Sequence, residues 1–397
     1  MMRPVALAIL VAAPWSLWAK LSPLAPPPDW SRLEDFHESI TRDEFVDQLD
    51  RVFAPGGAWR EWIEIRDDRA VVRTGSKPLE LRFAAGVKKP APRFWKARGE
   101  FAPTPGKPLA GVHIALDPGH LGGRWSRLEE RWFRIGKSKP VVEGDLTLSV
   151  ARLLAARLRE AGARVTLTRS GSDPATPLRP SKLAGEAASS LREKNLPATP
   201  VAIAKEAERL FYRAAEIRAR ASRLNSKTRP DLVLCLHFNA EPWGNPDRPV
   251  LTEKNHIHFL VTGAWSAEEL AFEDQRFDML RKLLGGTHSE ETAVTLRLAD
   301  SMNRATGLAP FVYRGSNAVA IAGRNDIWAR NLLANRLFDC PVVYAEPYVM
   351  NSREVHARIQ AGDYEGTRMV AGRKRPSIFR EYADSLAEGL IAYYGGR

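Results

Sequence analysis

Cysteine is nearly absent. Cys235 and Cys340 are the only two in 397 residues, which excludes a disulfide-dense scaffold and leaves room for a single bridge. Two buried thiols packed as small apolar groups are the simpler expectation. Long apolar runs are equally scarce. The one such stretch, Val5 to Trp18, follows Met1-Met2-Arg3 and precedes Ala19-Lys20, the pattern of a secretory signal cleaved after Ala19. It is short for a membrane span, and no second run follows, so no stable membrane span is expected in the mature chain. Internal repeats and nucleic-acid recognition motifs are also missing, and nucleic acid is not an expected partner.

What the chain has in excess is positive charge. Lys and Arg number 59 against 47 Asp and Glu, a formal net charge of +12. Such a surface attracts polyanions, which for an exported chain means anionic wall polymers or lipid surfaces. At 44% hydrophobic content the chain can bury a substantial core. The Pro-rich connector Pro23 to Pro28 is followed by a capping box, Thr41-Arg42-Asp43-Glu44, with Phe45, Leu49 and Phe53 at helical spacing, which predicts a helix over 41–53. Short β-like runs at 62–65, 70–72 and 79–83 complete a small α+β unit. The Pro- and Lys-rich stretch 88–108 reads as a linker, placing a signal at 1–19, the small unit at 20–108 and the main domain at 109–397.

From Gly111 onward strands alternate with longer helices, the pattern of an α/β domain with a mainly parallel or mixed sheet flanked by helices on both faces. Asp145 to Ala161 places Val150, Leu153, Leu154 and Leu158 on one face and stops at Gly162, and 163–168 forms the next strand. Thr199-Pro200 opens a long helix toward Leu224. Its Arg209, Arg213, Arg218, Arg220 and Arg223 are expected on a solvated face, with polyanion binding the lesser option. A strand near 257–261, a helix near 292–306 and a strand over 341–346 follow.

Two apolar strands end in histidine. Ile114-Ala115-Leu116-Asp117-Pro118-Gly119-His120 stops at a Pro-Gly break, and Leu232-Val233-Leu234-Cys235-Leu236 runs into His237. In an open α/β sheet the ligand crevice lies at the carboxyl ends of the strands, so the two histidines are candidates to share one metal ion. A zinc hydrolase takes three ligands from His, Asp or Glu. Glu129, Glu130 and Glu143 are the carboxylates near His120. Glu143 stands just before the Asp145 helix, where its charge suits a helix N-terminus, whereas Glu129 and Glu130 sit in an Arg/Trp-rich loop expected to be a solvated surface or a substrate rim. Glu346 ends an apolar strand just before Pro347 and is the candidate general base. His256 and His258, two apart on one strand, share a side that is expected to be its wet face, with lining of the substrate groove the lesser option. Arg169 and Asn239 are candidates for orienting the ligands.

These segments, in this order, resemble the zinc-dependent N-acetylmuramoyl-L-alanine amidases of bacterial cell walls, the family with an amidase type 3 catalytic domain. Ile114 to His120 resembles the family's Asp-Pro-Gly-His strand. Glu143 with Leu146 and Leu148 resembles its Glu-then-Leu-rich helix, and Val165 to Arg169 its Thr-Arg strand end. Leu232 to Ala240 is similar to the segment of the second histidine and its asparagine, and Cys340 to Ser352, with Asn351, to that of the catalytic glutamate. The loop between His120 and Glu143 is longer than the family usually has, and stretches near 170–200 and 241–290 look like insertions. The resemblance implies the zinc amidase fold, Zn²⁺ held by His120, Glu143 and His237, and Glu346 as general base and later acid. It also implies peptidoglycan as substrate, cut between N-acetylmuramic acid and L-alanine, and a site of action in the periplasm or cell envelope. Two other readings use the same residues: a catalytically weak peptidoglycan-binding protein, and a zinc peptidase acting on stem peptides. The sequence indicates no particular activator protein.

Overall fold

The computed structural model describes residues 20–396, and the expected signal lies outside them. In the N-terminal segment the capping box forms as predicted: Glu44 N donates to Thr41 Oγ1 at 3.3 Å and Thr41 N donates back to the Glu44 carboxylate at 3.2 Å. The helix Arg42–Gln48 continues as a wider turn over Leu49–Phe53. Strands Ile63–Ile65, Arg69–Val72 and Leu79–Arg82 form a three-stranded antiparallel sheet. The apolar faces of these elements do not close on one another alone. Phe45, Leu49, Phe53 and Leu81 share one cluster with Trp265, Phe277, Leu280 and Leu284, some 200 residues further along. The stretch read as a linker also packs: Trp95 is buried against Ala115, Val233 and Val342 of the large sheet.

That sheet is mixed. Besides the short Ala309–Pro310, which pairs with His256–Thr262, its strands in spatial order are Val319–Ala320, Ile327–Arg330, His256–Thr262, Val342–Pro347, Leu232–Leu236, His113–Pro118 and Arg164–Leu167. The last four run parallel, and His256–Thr262 runs antiparallel to Val342–Pro347. Because side chains alternate along a strand, each strand fills two layers. Ile114, Leu116, Leu234, Val343 and Phe259 face the helices Glu143–Glu160, Thr287–Thr306 and Ile378–Tyr394. Ala115, Val233, Cys235, Val342 and Tyr344 face Ala221 and Leu224 of the helical run 200–228. The strands are buried on both sides, as continuous apolar runs demand. Both cysteines are buried and unpaired.

Three features extend or correct the sequence reading. The stretch 241–290 contributes the strand His256–Thr262, which lies inside the sheet, and the helix Glu273–Leu284. The helix Ile378–Tyr394 closes the large core although Gly389 argues against a helix by propensity. A Cβ at Gly389 would stand 2.9 Å from Leu298 Cα, so the glycine permits the close crossing with Thr287–Thr306. Most of the arginines on 200–228 are not solvated. Arg220 is buried with Nη1 2.7 Å from Asp117 Oδ1, Arg218 lies 3.6 Å from Asp274, Arg209 pairs with Glu206, and Arg223 donates to the Thr168 carbonyl. Arg213 and Arg223 are the exposed ones. Their partners come from distant segments, which a helical wheel does not display.

Candidate active site

The site forms where His113–Pro118 and Leu232–Leu236 end side by side, Pro118 opposite Leu236. Gly119 turns the chain past the imidazole of His237 so closely that a Cβ there would stand 2.2 Å from the ring's Cε1. The next residue, His120, has φ 59°, the left-handed region that histidine enters more readily than most residues. Its ring meets that of His237 edge-on, centroids 5.1 Å apart, and His237 is stacked on Tyr344. Glu143 opens the helix Glu143–Glu160 and is buried. One carboxylate oxygen, Oε1, lies 3.4 Å from His120 Nε2 and 3.3 Å from His237 Nδ1, and accepts from Phe238 N at 3.2 Å. The other, Oε2, is buried with no hydrogen-bond partner.

Burial opposes ionisation of Glu143, but His120, the hydrogen bond from His237 and the Arg131 charge outweigh it and hold the carboxyl down at about 2. Burial likewise opposes charge on His237, and the Glu143 hydrogen bond with the charge of Glu346 carries it upward. One ligand atom from each of His120, Glu143 and His237 lies within 4.8 Å of the others. Two imidazoles and an ionised carboxylate with an oxygen left unsatisfied form a donor set that fits a divalent cation of the zinc type.

Around this cluster stand Glu129 and Tyr382, which the sequence did not place there, and Arg169, which it offered as a candidate. Glu129, expected in a solvated loop, is buried: its Oε2 accepts from Leu121 N at 2.7 Å and stands 3.6 Å from His120 Nδ1. A carboxylate behind a ligating histidine fixes its ring and raises its basicity. Glu130, its neighbour, is exposed. Arg169 acts on backbone, not on side chains of the cluster. It donates to the carbonyls of Pro118 at 3.1 Å, Gly119 at 3.3 Å and Gly144 at 2.6 Å, tying the His120 turn to the first turn of the Glu143 helix. Tyr382 donates to the carbonyls of His237 and Ala345, at 3.1 and 2.7 Å.

Glu346 lies two residues beyond Tyr344 on Val342–Pro347, on the same face by alternation and opposite His258 in the antiparallel register. His256 and His258 are not on a wet face, because His256–Thr262 is buried along its whole length. Asn239 Oδ1 accepts from Ala240 N at 2.8 Å, so its Nδ2 donates to His258 Nδ1 at 3.2 Å. The neutral ring then carries its proton on Nε2, which faces Tyr313 OH at 3.0 Å and Glu346 Oε2 at 3.4 Å. Asn239 thus orients a partner of Glu346. The signal for His258 was its spacing from His256, readable only with the strand register in hand.

Burial, with further contributions from nearby charges, depresses His258 to about 4, and burial with the Arg164 charge does the same to His113. For a histidine with a depressed folded-state pKa, the unfolded chain takes up the proton first. Stability contributed by the neutral rings is therefore complete above the unfolded value of 6.5 and is lost as pH falls from there toward about 4. The thermal midpoint should decline across that window, and a flat profile would contradict the assignment.

No curated protein sequence matched the chain. Among solved structures, similar folds include the N-acetylmuramyl-L-alanine amidase Ami1 from Mycobacterium smegmatis, 16% identical over 73% of this chain and 99% of that one, with a TM-score of 0.41. The catalytic domain of the amidase CwlV from Bacillus (Paenibacillus) polymyxa var. colistinus is 15% identical over 71% and 97%, with a TM-score of 0.37. The family described as N-acetylmuramoyl-L-alanine amidase matches residues 114–366, more than half of the chain and all four strand-end and helix-entry residues of the site. The chain therefore belongs to the Amidase_3 family and is a cell-wall amidase, an enzyme of peptidoglycan hydrolysis.

Proposed function

We propose that the protein uses zinc to hydrolyse the amide between the lactyl group of N-acetylmuramic acid and L-alanine. In this reading His120, Glu143 and His237 hold the metal and Glu346 moves the protons. The supporting observation is the buried Glu143 carboxylate, which faces both histidines with one oxygen and leaves the other without a partner. Bound there, zinc would polarise the scissile carbonyl and bring the pKa of water toward about 7.

The chain's own groups do the rest. Glu346 accepts a proton from the attacking water and returns it to the leaving nitrogen, which amide hydrolysis requires because an amine anion leaves poorly. The Nε2–H of His258 keeps the Glu346 carboxylate aimed. Glu129 and Arg169 keep the His120 turn and the Glu143 helix in register. Residues 109–397 would form the catalytic domain behind an exported N-terminal unit acting in the periplasm or cell envelope, with anionic wall polymers attracted by the net positive charge.

The test is zinc content together with digestion of purified peptidoglycan by the mature protein, followed by mass spectrometry. One zinc per chain and intact stem peptides starting at L-alanine are expected, with a free lactyl carboxylate on the glycan and no release after chelation. Products cut within the stem peptide would replace this reading with the peptidase one. Binding to peptidoglycan without release would leave a wall-binding protein. A His120→Ala variant should purify without zinc.

A further inference from the structure

Beside the His120–Glu143–His237 cluster lies a second, larger groove of about 660 Å³, lined by Arg127, Glu130, Arg131, Trp132, Glu241 and Trp243 among others. Its two walls continue the segments that carry the proposed ligands. On one side the Arg131 carbonyl accepts from Glu143 N, and Trp132–Phe133 pairs with Val141–Val142, the residues that lead into Glu143. The other wall begins at Ala240, three residues past His237. Arg131 also lines the smaller cavity, about 210 Å³, that contains His120 and His237. Arg131 is thus common to the walls of both spaces.

The groove is built to stay open. Asn351 accepts from Glu241 N at 3.0 Å and donates to the Val250 carbonyl at 3.0 Å, pinning both ends of its outer wall, while Val250 N donates to the Trp243 carbonyl. The Trp243 ring rests on Phe133, centroids 5.1 Å apart. Opposite, Trp132 is buried and its face is taken by the Arg127 guanidinium, 4.2 Å from the ring. Among the described residues Arg127 forms no ion pair, and the nearest carboxylate to Arg131 is that of Glu143 at 3.9 Å, which is turned toward the histidines. Of the two carboxylates that also line the groove, Glu241 is paired with Lys254 at 3.0 Å and Glu130 is exposed with no ion pair among the described residues, so two guanidinium groups with unused donors stand against one unpaired carboxylate.

Resting on the amidase reading above, we propose that this groove takes the peptide side of the substrate, and that Arg127 and Arg131 receive a carboxylate borne by that peptide. Charge decides between the two sides of the scissile bond. Sugar rings are uncharged and dock on open aromatic faces, whereas the Trp132 face is capped by arginine. A peptide carboxylate matches the fork of donors that arginine offers.

The experiment measures binding to the full-length Glu346→Gln variant, whose turnover should be slowed about a thousandfold, by calorimetry. The probes are a soluble muramoyl peptide with free carboxylates and the same compound with those carboxylates amidated. The free acid should bind about tenfold more tightly, the order expected for a charge-assisted contact. Adding Arg127→Gln or Arg131→Gln should bring the two probes within about twofold, with zinc content unchanged. If Arg131→Gln disturbs zinc, the Arg127→Gln result decides. Equal affinity of the two probes for the parent overturns the proposal. Peptide release from peptidoglycan without such discrimination would leave the amidase reading intact and remove the groove assignment. Discrimination without release would do the reverse.

Discussion

Exchanging Glu346 for glutamine should leave zinc bound and lower turnover by about three orders of magnitude, within the range that removal of a general acid-base group costs. The substitution preserves shape and strand register. Glutamine can still accept from His258 Nε2, now 3.4 Å from the carboxylate, through its amide oxygen. What it loses is the capacity to take a proton from water and hand it to a leaving nitrogen. Glu346 is not among the three residues whose ligand atoms converge, so metal content should not follow activity. Zinc analysis and stem-peptide release on the same preparation read both quantities. Undiminished release would dismiss Glu346 as the base, and zinc lost together with activity would make it a ligand.

The second large effect concerns stability. Asp117, one turn of the chain before His120, is buried and accepts from Arg220 Nη1 at 2.7 Å and from Thr168 Oγ1 at 2.5 Å. Asp117→Ala would leave the Arg220 guanidinium buried with Glu216 Oε1, 3.8 Å from its Nε, as its remaining carboxylate. Removing one partner of a buried pair costs about 3–5 kcal/mol, against a total stability of about 5–15 kcal/mol for a typical domain. Denaturant unfolding of Asp117→Ala should show that loss. The double variant Asp117→Leu/Arg220→Met should recover part of it, since no charge is then stranded. Equal destabilisation of the single and double variants would mean that the pair contributes through shape alone.

These two residues also mark the limits of reading the chain directly. Glu346, His120, His237 and Glu143 were legible because each ends or begins a local pattern: an apolar run broken by Pro-Gly, or a carboxylate opening a helix. The parallel part of the sheet was legible for the same reason. The Arg220 pairing was not, because Asp117 is 103 residues away and nothing local separates a buried arginine from its solvated neighbours. Glu129 was hidden by its composition, set among arginines and tryptophans that suggest a rim, while the loop folds it inward to His120. His258 needed the antiparallel pairing of two strands whose order in the sheet differs from their order in the chain. The interleaving of 20–108 with 265–284 is of the same non-local kind.

That interleaving has a consequence for the order of folding. Phe45, Phe53 and Leu81 are synthesised early, yet Trp265, Phe277 and Leu284, which bury them, follow only after half of the large sheet's strands have been made. Contacts so far apart in the chain close slowly, because the intervening loop must first lose its freedom. The opening hundred residues are thus expected to wait, apolar side chains uncovered, until the chain has been made at least as far as Leu284. A fragment starting at residue 109 would face the converse problem, with Trp265 and Phe277 bare and prone to self-association. The unit at the front of this enzyme behaves as a late-fitting part, not as a detachable module.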